Sequence, residues 1–245
     1  MTSVDTTGRA PPLGAWRIMG RTFAMSVRHI GIFLAIAVPP WVVVILLGAI
    51  LDNVAVGVLM TIIGCMLWAL TCSVLTHAAF LLNLGDRVDL TELIRNAISQ
   101  LPAMLLCFAV AMLAINFAYQ FFIIPGIYIS GLFAVILPVA VVEHRGFESI
   151  SRCEELTRRY RWSTGGMWFL ISGVVPVLLF GIGMGLFAYA APTAFDEGDF
   201  GLEGWAFLIP GFTIFNILTC VLAALIYARL LEIEDGYARI EEVFE

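Results

Sequence analysis

Two ionisable side chains in apolar surroundings are the first candidates for chemistry in this chain, and one of them is His77. It lies in the inner half of a long apolar segment, close to Thr71, Ser73 and Thr76. An ionisable group inside a membrane segment is a functional candidate. The alternative is solvation at the membrane edge, because His77 comes less than two helical turns before Asn83.

The other is Glu143, which stands at the end of an apolar segment. Hydrolysis requires an acid paired with a base, or a serine or cysteine paired with a histidine, on facing elements. No such partner is evident for Glu143, and its nearest basic neighbours are Arg145 and Arg152. We therefore expect a structural salt bridge at the inner membrane edge, in a protein that is not an enzyme.

Three polar side chains share one helical face near the outer end of another apolar segment: Asn116, Tyr119 and Gln120. Polar residues at this spacing typically form hydrogen bonds between membrane helices. Asn216 and Thr213 are the candidate partners for them. The alternative is that the three side chains line a pore or a lipid groove.

Cysteine usage gives no sign of a cofactor. The five cysteines are odd in number and form no CxxC pair, so neither a disulfide framework nor a zinc site is indicated. We expect no cofactor and no metal. The net charge is −6, all 13 basic residues are arginine, and we expect no nucleic-acid partner.

The elements that must position these residues are membrane helices. Hydrophobic residues make up 61% of the chain and charged residues only 13%, whereas soluble domains contain about 25% charged residues. A helix needs about 20 apolar residues to cross a membrane. Six segments reach or approach that length: 30–51, 54–82, 103–124, 127–142, 164–190 and 205–228.

The arginines predict how these helices are oriented. With six spans and the N-terminus inside, all 13 arginines fall on the inner side, as expected for the cytoplasmic face of a membrane protein. We therefore predict an all-α integral membrane protein with both termini in the cytoplasm. It forms one domain: a cytoplasmic N-terminus (1–29), a six-helix transmembrane region (30–228) and a cytoplasmic tail (229–245).

A basic amphipathic helix is predicted before each pair of spans. The three helices cover residues 13–30, 89–101 and 147–162. In the first, an apolar stripe at helical spacing has arginines between its members, which are Leu13, Trp16, Met19, Phe23, Val27 and Ile30. Such helices typically lie on a membrane surface, where arginines attract anionic lipid headgroups. Anionic membrane lipids are therefore the expected partners.

The other two amphipathic helices carry recognisable local signals. In the second, Asp89 is the predicted N-cap and Pro102 the predicted end. In the third, acids precede arginines by four residues, which stabilises a helix. The predicted pairs are Glu148–Arg152, Glu154–Arg158 and Glu155–Arg159.

The fourth span, 127–142, is the shortest and follows directly after Pro125 and Gly126. Its 16 residues reach about 24 Å, short of the about 30 Å of the hydrocarbon core. The segment 123–142 either gains length from the Pro-Gly turn and spans fully, or it is re-entrant.

A GxxxG pattern occurs on the fifth span, at Gly181 and Gly185. In a membrane helix this pattern predicts close approach of two backbones. It is not a phosphate-binding loop, which requires a strand-to-helix turn and usually a lysine.

The stretch 125–162 resembles the signature of a bacterial inner-membrane family, the YciC-like or glycerophosphoryl diester phosphodiesterase membrane-domain family. The pattern is Pro-Gly, a span ending in proline, apolar residues and an acid, then a glycine and a helix of the type R-S-x-x-L-T-[KR]-x-x-x-W. Cys153 stands where the family commonly has serine. The matching residues are Pro125, Gly126, Pro138, Glu143, Gly146, Arg152, Leu156, Thr157, Arg158 and Trp162.

The resemblance implies a multi-pass protein of the bacterial cytoplasmic (inner) membrane. It does not imply phosphodiesterase activity, which belongs to a separate soluble barrel domain that some members carry and that we do not expect in this chain. The leading hypothesis is a non-enzymatic protein of envelope or lipid homeostasis, or a membrane scaffold whose partner is another membrane protein or a second copy.

Two alternatives remain open. The first is a transporter or channel for a small or lipidic solute. It would use the Pro-Gly-broken hairpin, with His77, Asn116 and Gln120 as polar groups, since discontinuous helices mark many transport sites. The second is a lipid-modifying enzyme that uses His77 and Glu143.

Overall fold

The computed structural model of this chain describes residues 13–50, 54–143, 148–190 and 202–244, and the regular secondary structure in these ranges is helical. A π-helical turn, Leu170–Val174, joins the helices Arg161–Phe169 and Val175–Ala190. The helices in chain order are α1 Ala15–Arg28, α2 Ile30–Ile50, α3 Val54–Leu84, α4 Leu90–Phe121, α5 Ile123–Phe133, α6 Ile136–Val142, α7 Ser149–Thr157, α8 Arg161–Phe169, α9 Val175–Ala190 and α10 Leu202–Phe244.

Five or six helical segments in the described ranges are long and apolar enough to cross a membrane. α1 and the first part of α2 (Ile30–Val44) pass the same test only as a pair, which is bent by 78°, and counting this pair gives six. The described part of the chain is therefore all-helical with five or six candidate spans, in agreement with the fold class expected for a multi-pass membrane protein. The five single segments are Ile62–Leu84, Leu90–Phe121, Ile123–Val142, Arg161–Leu186 and Ile209–Glu234.

Helix α1 packs on the bundle mainly through a face other than the one that its apolar residues predict. Its buried residues are Ile18, Thr22 and Ser26, whereas Trp16 and Val27 are exposed. Thr22 donates a hydrogen bond to the carbonyl of Ile18 in its own helix (3.0 Å), so part of this polar face can pack without losing a partner. Most of the predicted apolar stripe therefore points away from the protein, although Leu13 is buried and Met19 packs against the core.

Helix α4 joins the second amphipathic segment to the third span without a break. Asp89 is its N-cap and accepts a hydrogen bond from the backbone N–H of Thr91 (3.0 Å), as predicted. The predicted end at Pro102 is wrong, because the helix continues through this proline to Phe121. Membrane helices tolerate proline when neighbouring groups satisfy the freed carbonyl. Leu93 and Ala97 pack on α3.

The Pro-Gly pair starts α5 rather than breaking a helix. The chain turns at Phe122, which is extended (φ −163°), and Pro125 then occupies the first turn of α5, where its missing N–H is not needed. A Cβ on Gly126 would collide with the ring of Tyr119. The segment Ile123–Val142 has 20 residues, or about 30 Å, so its length allows a full span.

Glycines bring α5 and α8 into backbone contact. A Cβ on Gly131 would meet the carbonyl oxygen of Arg161, and a Cβ on Gly165 would meet that of Ile127. Thr164 adds a hydrogen bond to the carbonyl of Gly131 (3.1 Å). The close helix packing predicted for the GxxxG pattern occurs here instead.

The GxxxG glycines themselves pack against nothing in the described structure. Gly181 and Gly185 are exposed, and a Cβ on either would meet no atom within 4 Å. The close packing predicted for this pattern is therefore not made within the described part of the chain. The π-helical turn lies just before Pro176, which has no N–H for the carbonyl of residue 172 and would clash with it in a regular helix.

Helix α10 forms the centre of the core. It packs against α1, α2, α3 and α9, and its residues from Asn216 to Ala228 are buried. It is one helix from Leu202 to Phe244. The tail predicted as a separate segment from residue 229 is therefore the continuation of the last span.

Candidate functional site

The polar centre of the described structure is Arg152 on α7, which joins three elements. Its guanidinium donates two hydrogen bonds to Glu234 of α10, from Nη1 to Oε1 (2.8 Å) and from Nη2 to Oε2 (2.6 Å). Nε donates to Oε1 of Glu143 (3.3 Å), and Nη1 also reaches Oε2 of Glu155 (3.1 Å). Two parallel bonds to one carboxylate give Arg its strongest and most directional pairing.

Glu143 ends α6 between Arg152 and Tyr227. The Tyr227 hydroxyl donates to the same Oε1 atom (2.9 Å) that Arg152 binds. The side chains of Arg152 and Glu143 are only 14% and 13% exposed, and Tyr227 is buried. The predicted salt bridge between Glu143 and Arg152 is present, and Arg145 lies outside the described residues.

Electrostatics favour a structural role for this cluster. Hydrogen bonding to Glu234 raises the pKa of the Arg152 guanidinium above its usual value, so Arg152 remains charged throughout the physiological range. Burial raises the pKa of the neighbouring Cys153 thiol, which keeps Cys153 neutral and unreactive. Arg152 and Tyr227 both donate to one oxygen of Glu143, which fixes the orientation of this carboxylate.

Sequence reasoning missed Tyr227 and Glu234 as partners of Arg152 and Glu143. Acidic residues alternate with apolar ones after residue 229, and one of these acids, Glu234, pairs with Arg152. Tyr227 had no separate signal, because a tyrosine near the end of a span is usual at a membrane interface.

The amphipathic segment after Glu143 is shorter than predicted. Helix α7 ends at Thr157, residues 158–160 form a turn, and Trp162 belongs to α8. Glu154 therefore pairs with Arg161 (3.2 Å) rather than with the predicted Arg158. Arg152 likewise pairs with Glu143, Glu155 and Glu234 rather than with Glu148.

Arg158 is exposed and lines an open cavity of about 360 Å³. The cavity lies between the α7–α8 turn and residues 230–234 of α10. Two arginines and two glutamates surround it, so their charges balance. Its lining residues are Glu155, Leu156, Arg158, Arg159, Tyr160, Leu230, Ile233 and Glu234.

A second cavity, of about 200 Å³, lies where α1 meets α10 and the end of α3. Three arginines and one glutamate line it. Arg21 donates to Oδ1 of Asn83 (2.8 Å), and Arg229 pairs with Glu232 (2.7 Å). The lining residues are Leu13, Gly14, Arg17, Ile18, Arg21, Asn83, Leu225, Ala228, Arg229 and Glu232.

The predicted polar residues of the third span do not meet Asn216. Asn116 is exposed and its Nδ2 donates to the carbonyl of Met112 in its own helix (2.7 Å), and Gln120 is also exposed. Asn216 instead accepts from the thiols of Cys72 (3.2 Å) and Cys220 (3.4 Å). The expected contact between these spans is therefore wrong, because the outer half of α4 turns this face outward.

The remaining candidates lie apart from one another. His77 is half-buried on α3, and Pro138 is buried in α6, one turn before Glu143. Among the described residues, no three histidine, cysteine, aspartate or glutamate side chains lie close enough to hold a metal ion.

Three arrangements thus stand out in the described structure: the Arg152 cluster, the arginine-lined cavity beneath α1, and the buried Asn216 with its two thiols. The charged groups of the Arg152 cluster pair with one another. In the arginine-lined cavity, Arg17 and Arg21 have no carboxylate partner among the described residues. No protein-family model, curated protein or solved structure matches this chain.

Proposed function

We propose that this chain is a non-enzymatic multi-pass protein of the bacterial inner membrane that binds anionic lipid headgroups on its cytoplasmic side and acts in envelope or lipid homeostasis. The observation that carries the proposal is the cavity beneath α1, with Arg17, Arg21 and Arg229 in its wall. The resemblance of residues 125–162 to the YciC-like family agrees with this location.

The charge balance of the cavity favours an anion. Arg229 is matched by Glu232, and among the described residues Arg21 binds the neutral amide of Asn83 and no carboxylate. Arg17 has no carboxylate partner in the described part of the chain. The cavity therefore holds about two uncompensated positive charges, and a phosphate group would accept hydrogen bonds from both guanidinium groups.

The walls of the same cavity favour a lipid over a free anion. Leu13, Ile18 and Leu225 supply apolar surface next to the arginines. On the opposite side of α1, Trp16, Phe23 and Val27 are exposed, as in helices that insert one face into the headgroup region. A headgroup at the arginines would thus have its acyl chains beside apolar residues.

The proposed orientation, with both termini in the cytoplasm, agrees with the same assignment. It would put all 13 arginines on the cytoplasmic side, where anionic lipids attract each by about 1 kcal/mol. The 78° bend between α1 and α2 is what a surface helix leading into a span requires.

Native mass spectrometry of the detergent-released protein with added lipid tests the proposal. We expect phosphatidylglycerol to bind more tightly than phosphatidylcholine. Replacing Arg17 and Arg21 by Ala should weaken phosphatidylglycerol binding roughly thirtyfold, if each arginine contributes about 1 kcal/mol. The matched control is the double substitution Arg87→Ala and Arg95→Ala, which removes the same charge from exposed sites outside the cavity.

Either of two results would overturn the proposal. One is equal binding of phosphatidylglycerol and phosphatidylcholine by the wild-type protein. The other is an equal loss in both double variants, which would mean that only net charge matters.

The transporter hypothesis gains no specific support from the described structure. Asn116 and Gln120 face outward, and neither they nor His77 line the cavities described above. The Pro-Gly pair lies at the start of a helix rather than in the middle of one.

A further inference from the structure

A third cavity, of about 370 Å³, lies within the candidate membrane spans, between α2 and α3 and beside α10. Its volume is within the range of small-molecule sites, about 300–1,000 Å³. Two indole rings and a single amide side chain stand out in its wall. The lining residues are Pro40, Trp41, Val44, Gly64, Cys65, Leu67, Trp68, Thr71 and Asn216.

Asn216 is the unusual member of this wall. It is 3% exposed, and its Oδ1 accepts hydrogen bonds from the thiols of Cys72 and Cys220. Its Nδ2 has no hydrogen-bond partner in the described part of the chain. A buried amide donor without an acceptor is costly, and it is most costly in a membrane, where water does not replace the missing partner.

A neighbouring hydroxyl group, that of Thr213, also lacks a hydrogen-bond partner among the described residues. Thr213 lies one turn before Asn216 on α10 and is also 3% exposed. Thr213 does not itself line the cavity, and the hydroxyl that does, that of Thr71, already donates to the carbonyl of Leu67 (2.7 Å). The unused hydrogen-bond donor in the wall is therefore the Nδ2 group of Asn216.

The lining determines which ligand would fit. It contains no charged side chain, so a charged group would lose its hydration without compensation. The free atom of Asn216 is a donor, so the ligand must supply an acceptor such as a carbonyl oxygen. Trp41, Trp68, Val44 and Leu67 supply apolar surface for a hydrocarbon chain.

We propose that this cavity binds a neutral lipid, with a carbonyl oxygen that accepts a hydrogen bond from the Asn216 amide and a chain that packs against Trp41 and Trp68. The site is distinct from the arginine-lined cavity beneath α1. It selects for an uncharged molecule, whereas that cavity selects for an anion.

Photolabelling of the full chain in lipid nanodiscs tests this proposal. The probe is a monoacylglycerol with a diazirine in its acyl chain, and labelled residues are located by mass spectrometry. We expect saturable labelling at residues 40–44 and 64–71, which unlabelled monoacylglycerol of the same chain length competes away. Asn216→Leu should reduce this labelling about fivefold, the effect of one hydrogen bond.

A matched amide gives the control. Asn116 is exposed on α4 and bonds only within its own helix, so Asn116→Leu should leave labelling at both stretches unchanged. A second pair of variants tests the cavity independently, in case Asn216→Leu disturbs folding. Gly64→Leu fills the cavity, where a Cβ would meet only Val44 at 4.0 Å, whereas Gly181→Leu adds the same bulk to an open surface.

Two further probes distinguish the sources of labelling. A diazirine-bearing alkane without a carbonyl should label the stretches weakly, and so should a phosphatidylglycerol with the same diazirine chain. Equal labelling by the alkane would overturn the role of Asn216, and equal labelling by the phospholipid would overturn the assignment to a neutral lipid. Labelling spread evenly over bilayer-facing residues, or unchanged in both Asn216→Leu and Gly64→Leu, would overturn the site.

Discussion

Arg152 and Glu234 are 82 residues apart in the chain and are joined by two parallel hydrogen bonds of 2.8 and 2.6 Å. The pair connects α7 to the last helix, and Glu143 and Tyr227 complete the cluster beneath it. Because the last helix is also the centre of the core, this one arginine links the segment after the fourth span to the whole bundle.

Replacing Arg152 by Ala should destabilise the protein by about 3 kcal/mol, since removing one member of a largely buried pair leaves charges without compensation. The stability of Arg152→Lys should fall between those of the wild type and Arg152→Ala, because lysine keeps the positive charge but cannot form the two parallel bonds. Thermal unfolding in detergent measures both. Arg158→Ala is the matched control: Arg158 is exposed, and we expect a change within about 0.5 kcal/mol. Equal destabilisation by Arg152→Ala and Arg158→Ala would contradict the role of the pair.

Tyr227→Phe should cost about 1.5–3 kcal/mol, as expected when a hydrogen bond to a charged group is removed. The hydroxyl is the only part lost, and Phe retains the contact of the ring with Phe80. The control is Tyr189→Phe, because Tyr189 is 89% exposed and should change little. A Tyr227→Phe protein as stable as the wild type would show that the bond to Glu143 contributes nothing.

Cys153 should be inert in the folded protein and reactive after unfolding. Cys153 is fully buried, and burial raises its pKa above the usual value of 9.0, so little thiolate is available for alkylation. Treatment with a maleimide followed by mass spectrometry should find Cys153 modified only after unfolding. Modification of Cys153 at the same rate in the folded and the unfolded protein would contradict the packing of α7.

The same thiol predicts a pH dependence on the alkaline side. A folded-state pKa raised above 9.0 means that the unfolded chain releases a proton first as the pH rises. The contribution of Cys153 to stability is therefore fully present below pH 9.0 and is lost progressively above it. Cys153→Ala should show a smaller loss of stability over that alkaline range than the wild type, as measured by unfolding at several pH values.

Alanine substitutions of two neighbouring glycines on α8, Gly165 and Gly166, should have different effects on the stability of the protein. A Cβ on Gly165 would overlap the carbonyl of Ile127, whereas a Cβ on Gly166 would meet no atom within 4 Å. We expect Gly165→Ala to destabilise by about 1–3 kcal/mol through overpacking. Gly166→Ala should be neutral or slightly stabilising, because alanine favours the helix. Similar melting temperatures for the two variants would contradict the α5–α8 contact.

The predicted orientation can be measured with reporter fusions. A fluorescent protein fused after the last residue should fold in the cytoplasm, and alkaline phosphatase at the same position should be inactive. Fusions after Tyr189, at the end of α9, should give the reverse. An active phosphatase at the C-terminus would overturn the assignment of the arginine-rich side to the cytoplasm.

Much of the architecture can be read from the chain because membrane insertion depends on local composition. Apolar runs of sufficient length predict helices wherever they occur, and the described spans agree with that expectation. Local chemistry also predicts the Asp89 cap and the salt bridge between Glu143 and Arg152, which lie nine residues apart. These features depend on residues close in sequence.

The sequence by itself thus determined the helices, and with the positive-inside rule it predicts their orientation. Only the tertiary structure decided what they touch. Gly165 rather than Gly181 makes the close helix contact, Asn216 binds two thiols rather than Asn116, and Glu234 reaches Arg152 across 82 residues. The physical reason is that an apolar helix is equally apolar toward lipid and toward another helix, so its pattern cannot distinguish the two.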